Sequence, residues 1–72
     1  MLSENVENAV KRNAKRLWLT ESAKGSKYTY DDIIQGLERA AEDFLTQYPE
    51  NTVIEKLSEA TLYDVEFCLM ML

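Results

Sequence analysis

Val6, Ala9, Val10, Ala14, Leu17 and Trp18 recur at three- and four-residue intervals along the first third of the chain. That spacing places them on one face of an α-helix. Ser3 stands where an N-cap belongs, and Glu4 and Glu7 fall in the first turns, where the helix dipole favours acids. The pattern breaks in "SAKGSK", with Gly25 as a natural stop and Lys24 suited to a helix C-terminus. A first helix over about residues 3–21 follows.

The stretch "YTYDDI" next raises the choice between a small polar site and a helix start. With Thr29 as N-cap, Asp32 falls at the third helical position, giving a capping box with aspartate in the usual glutamate place. Tyr28 and Ile33 then occupy the two positions of a hydrophobic staple, and Asp31 and Asp32 sit at the positive end of the dipole. Every residue has a role in starting a helix, and no third ligand lies nearby to make a metal or acid–base site. The apolar series Ile34, Leu37, Ala40, Ala41, Phe44, Leu45 and Tyr48 carries this second helix over about 30–48, to Pro49, which pushes its predecessor out of helical geometry. Gly36 inside it costs about 1 kcal/mol relative to alanine. With Ala40 it forms a small-residue notch, which fits the close approach of another helix or, alternatively, a binding notch.

Two further start signals follow. Thr52 with Glu55 matches a capping box, and Thr61 with Asp64 repeats the spacing. They predict helices over about 53–59 and 62–71, with one bent helix across 52–72 as the alternative. No strand-type alternation is sustained. The expected fold is therefore all-α, a compact bundle of three to four short helices in a single domain spanning 1–72.

Composition narrows the function. The chain has 72 residues and a net charge of −5, with one cysteine and no histidine. Histidine is the usual base for a serine or cysteine nucleophile and a common zinc ligand, and disulfide scaffolds need cysteine pairs. Cys68 lies among Phe67, Leu69 and Met70, where a thiol behaves as a small hydrophobe. Glu38 and Glu42 share a helix face, as acids on solvated helices commonly do. No phosphate-binding glycine loop is present. The expectation is a protein that is not an enzyme and carries no cofactor or metal. The first twenty residues hold no continuous apolar stretch of signal-peptide type, and the apolar run Phe67–Leu72 is far below the roughly 20 residues that span a bilayer. This reads as a cytoplasmic protein with no membrane partner.

Two features exceed what a lone bundle needs. Phe67, Met70, Met71 and Leu72 belong to an apolar run that leaves a terminal helix no wet face. Either this end is buried within the monomer, or it pairs in a homodimer, or it binds a foreign protein. The second feature is the basic row Lys11, Arg12, Lys15 and Arg16. Residues 1–27 carry net +3 and residues 28–72 net −8, so the row either attracts the acidic half of its own chain or contacts nucleic-acid phosphates. Overall acidity opposes nucleic acid. The leading expectation is a small acidic protein-binding module, a regulator or inhibitor acting through helix faces and the apolar C-terminal helix. The alternative is a nucleic-acid-binding regulator using the basic face of the first helix.

Overall fold

The capping residues set most of the helix starts. In the computed structural model, which describes residues 2–22, 25 and 27–70, the chain forms α1 (Glu4–Ser22), α2 (Tyr30–Leu45), α3 (Glu50–Ser58) and α4 (Leu62–Met70). Ser3 accepts the Val6 amide on its hydroxyl at 3.3 Å and the Glu7 amide on its carbonyl at 2.8 Å. The Thr29 capping box closes in both directions: the Asp32 amide donates to Thr29 Oγ1 at 3.1 Å, and the Thr29 amide donates to Asp32 Oδ2 at 3.2 Å. Thr61 and Asp64 repeat it for α4, at 3.4 and 2.8 Å. Gly25 takes φ of 82°, the left-handed conformation that glycine adopts without a Cβ penalty.

Two boundaries differ from the sequence expectation. First, α2 ends at Leu45 rather than 48. Beyond it the Gln47 and Tyr48 amides both donate to the Phe44 carbonyl, at 2.9 and 2.8 Å, as the chain turns towards Pro49. Second, α3 begins at Glu50, so Thr52 lies inside the helix and its capping box with Glu55 does not start it. The N-cap is Pro49, with φ −70° and ψ 162° and no side-chain cap bond, and its carbonyl accepts the Val53 amide at 3.0 Å. The proline ring fixes φ near the required value three residues before the threonine. Residues 52–70 form two helices, separated by a turn at Glu59–Thr61.

The helix α2 is central and packs against the other three, while α1 also packs on α3. Val6, Val10 and Leu17 of α1 meet Ile33 and Leu37 of α2, Val53 and Leu57 of α3 and Val65 of α4 in one buried cluster. The radius of gyration is 11.3 Å, matching the ~11 Å of one compact domain of this length. The glycine of α2 lets α4 come close: a Cβ built on Gly36 would lie 2.6 Å from Val65 Cγ1 and 3.1 Å from the Val65 carbonyl oxygen. Gly36 thus serves helix packing, as the small-residue pair it forms with Ala40 one turn later implies.

No ion pair among the described residues joins the basic and acidic halves. Among the described residues the ion pairs are Lys11–Glu7 at 3.9 Å and Arg39–Asp43 at 3.7 Å, each within its own helix. Arg16 does cross, but to carbonyls. Its guanidinium donates to the Ala60 oxygen at 3.0 Å and the Leu57 oxygen at 3.5 Å, and its Nε to Asn13 Oδ1 at 3.3 Å. The C-terminal end of α3 carries partial negative charge, which a cation complements, although the Leu57 carbonyl also accepts the Ala60 amide at 3.2 Å. The buried Asn13 side chain is satisfied as well, because its amide donates to the Ala9 carbonyl at 2.8 Å.

Candidate functional site

The last helix has little to bury. Among its described residues only Val65 is fully enclosed, while Leu62, Cys68 and Leu69 are half-buried. Its large side chains go elsewhere. Tyr63, Phe67 and Met70 are 81%, 63% and 79% exposed. Their spacing of four and then three residues aligns them on one face of α4. So Phe67 and Met70 are not core residues of the monomer; Met71 and Leu72 lie outside the described residues.

Beside this stripe an open groove of about 580 Å³ runs between α4, the C-terminal half of α2 and the end of α3. That volume is in the range of ligand-binding clefts, about 300–1,000 Å³. It exists because Ala40 and Ala60 are short where α2 faces the α3–α4 turn; both are nearly buried and form the floor. Phe44, Tyr63 and Phe67 supply aromatic walls, and Asp43, Glu59 and Asp64 stand among its lining residues with Lys56. The Lys56 ammonium lies 4.5 Å from the Tyr48 ring centroid and 5.6 Å from that of Phe44, cation–π distances that hold it on the aromatic wall. Phe44 and Tyr48 meet edge to face at 6.2 Å.

Cys68 lines the same groove, and its thiol reports the local field. Part-burial pushes its pKa up, the Asp43 and Asp64 carboxylates push it further, and Arg39 opposes them. A protonated thiol is a poor nucleophile and a poor metal ligand.

The basic row is divided. Lys11, Arg12 and Lys15 are exposed on α1, with Lys11 beside Glu7, whereas Arg16 is committed to the end of α3. Trp18, expected on the core stripe, is 40% exposed and packs edge to face on Tyr30 at 5.9 Å. Glu38 and Glu42 line a smaller hollow with Glu7 and Leu2, away from the groove. Among the described residues no group of three potential metal ligands comes together, and no helix is long and apolar enough to cross a membrane.

Phe67 and Met70, expected as partner-binding residues from the sequence, are exposed; Tyr63 and the groove were not anticipated. The stripe was available in the 63–67–70 spacing; the groove was not, since its floor joins residues twenty positions apart. Comparison with protein-family models, curated proteins and solved structures finds no match.

Proposed function

We propose that this chain is a small non-enzymatic protein-binding module, a regulator or inhibitor of another protein, which it recognises through the exposed face of α4 and the groove beside it. The observation that carries the reading is the stripe Tyr63, Phe67 and Met70, three large side chains left in water on one helix. Covering each is worth about 1.5–3 kcal/mol, and a contiguous apolar patch of this kind typifies interaction surfaces. A foreign protein fits better than a second copy. A two-fold contact through this face would bring Glu59 and Asp64 towards their own counterparts, in a half of the chain that carries net −8. An unpaired cysteine agrees with the reducing cytoplasm as the place of action.

The test is selection from a displayed library of random peptides on the immobilised chain, with counter-selection on a variant carrying Phe67→Lys and Met70→Lys. Both residues are exposed, so the variant should keep its helical circular dichroism. Peptides that enrich on the parent and not on the variant support the module. If no peptide distinguishes the two proteins, the α4 face is not a binding surface.

A further inference from the structure

We infer that the occupant of the groove is an amphipathic helix of another protein with lysine or arginine flanking its apolar stripe. This rests on the binding-module reading and adds the chemistry of the partner. The groove is apolar on its floor and walls, at Ala40, Ala60, Phe44 and Phe67. A hollow of this kind accepts side chains presented at i, i+4 and i+7 by a helix. The stripe on α4 spans eight residues from Tyr63 to Met70, about 10 Å at helical rise, which two to three turns of a partner helix would cover.

The rim decides the sign of the charge. Asp43, Glu59 and Asp64 line the groove, against one lining cation, Lys56. Lys56 is held over Tyr48 at 4.5 Å and keeps its charge, while Arg39 sits 3.7 Å from Asp43 on the same helix and offsets part of that carboxylate, which leaves Glu59 and Asp64 as the rim's unpaired acids among the described residues. The Asp64 carboxylate accepts hydrogen bonds from the Thr61 amide and hydroxyl, at 2.8 and 3.1 Å, which fix it in place without neutralising it. Glu59 has no ion pair among the described residues. The lining thus carries three carboxylates and one ammonium, a formal net of −2. Electrostatic complementarity steers encounter and selects partners more than it adds raw affinity. A basic flank is therefore what distinguishes the preferred helix from other apolar helices.

The experiment uses two labelled peptides of about 16 residues, long enough for the four turns that a marginal helix needs. They share leucines at the i, i+4, i+7 and i+11 positions. One carries lysine at its flanking positions and the other glutamate. Fluorescence anisotropy with the full chain should show the lysine peptide binding at least about tenfold more tightly, a preference of ~1.4 kcal/mol. That preference should shrink as salt is raised from about 0.05 to 0.5 M, because screening shortens the reach of exposed charges. Glu59→Lys with Asp64→Asn should reverse or abolish it, and Phe67→Lys should abolish binding of both peptides.

Equal binding of the two peptides, lost on Phe67→Lys, would overturn the charge inference and leave the binding-module reading standing. Binding that survives Phe67→Lys would place the occupant elsewhere and overturn the inference. Absence of saturable binding by either peptide would overturn it too, and the library selection then judges the wider reading separately. A concentration-dependent dimer in sedimentation equilibrium that Phe67→Lys dissociates would make a second copy the occupant.

Discussion

Replacing Gly36 by alanine sets two effects of opposite sign against each other. In an isolated helix the change stabilises by about 1 kcal/mol, because alanine is the better helix former. Here the new Cβ would sit 2.6 Å from Val65 Cγ1, 3.1 Å from the Val65 oxygen and 3.3 Å from its Cα. Two of those three atoms are backbone, and valine is stiff about χ1, so no rotamer change relieves the clash. The helix α4 must instead move outward by roughly 1 Å to restore carbon contacts near 3.5–4.0 Å. Val65 is completely buried, and overpacking at such a site costs typically 1–3 kcal/mol. With a 2.6 Å contact the cost should fall in the upper part of that range and exceed the propensity gain, leaving the variant less stable by up to about 2 kcal/mol. In a 72-residue chain that is a lowering of melting temperature by about 4–8 °C per kcal/mol. Urea unfolding followed by far-ultraviolet circular dichroism measures the loss. The paired variant Gly36→Ala with Val65→Ala should be more stable than the sum of the single changes by about 1 kcal/mol, since removing Cγ1 removes the shortest contact. If Gly36→Ala proves stabilising by about the propensity value, α4 does not pack on α2 as described, and the groove beside it loses its wall.

Three further outcomes are expected. Arg16→Ala should destabilise the fold by about 1.5–3 kcal/mol, the range for hydrogen bonds to a charged group, while Arg12→Ala changes urea stability little; equal effects would mean that the contact to the end of α3 contributes nothing. Cys68 should react with a thiol reagent at neutral pH more slowly than a cysteine in an unstructured peptide, and Asp64→Asn should speed it, since both burial and the carboxylates hold the thiol protonated; a rate as fast as the peptide's would contradict the negative groove. Part-burial and the hydrogen-bonded Glu66 carboxylate raise the Tyr28 hydroxyl above its ordinary 10.0. The folded state therefore retains that proton, so the stabilisation is complete below pH 10 and lost as pH rises through the folded value. Stability of the parent should fall more steeply than that of Tyr28→Phe above about pH 10; parallel curves would refute the link between Tyr28 and Glu66.

The helices were legible because their causes are local. Thr29 with Asp32, and Thr61 with Asp64, act within four residues, and the apolar stripes repeat within a turn. Thr52 with Glu55 shows where that logic fails. The same pattern is present, but a capping signature starts a helix only where the preceding residues are not already helical, and Pro49 starts α3 three residues earlier. The role of Arg16 had no local signal at all. Its acceptors are 41 and 44 residues away in sequence, and a basic row on a helix looks the same whether or not one member caps another helix. The groove was hidden for a related reason. A hollow made by two alanines facing each other is defined by the larger side chains around them, and those come from three different helices.

The position of the apolar stripe follows from how α4 is held. A helix of nine residues is too short to persist alone in water. This one is held by the Thr61–Asp64 box and by Val65 against Gly36. Those contacts occupy its inner face and leave the outer one, with Tyr63, Phe67 and Met70, exposed. Covering the outer face from outside would add a second set of contacts to this terminal helix. By mass action a ligand that binds only the folded chain stabilises it by about 2.7 kcal/mol at a hundred times its dissociation constant. That gain should appear first in the helix whose local opening costs least. Hydrogen exchange in α4 should therefore be fast in the free protein relative to α2 and slow sharply when the lysine peptide binds. Exchange in α1, on the far side of the core, should change only as global stability does. The same Gly36–Val65 contact that fixes α4 on the bundle would then set the tightness of binding, because an α4 displaced by Gly36→Ala carries its stripe away from Asp43 of α2 and Glu59 at the end of α3.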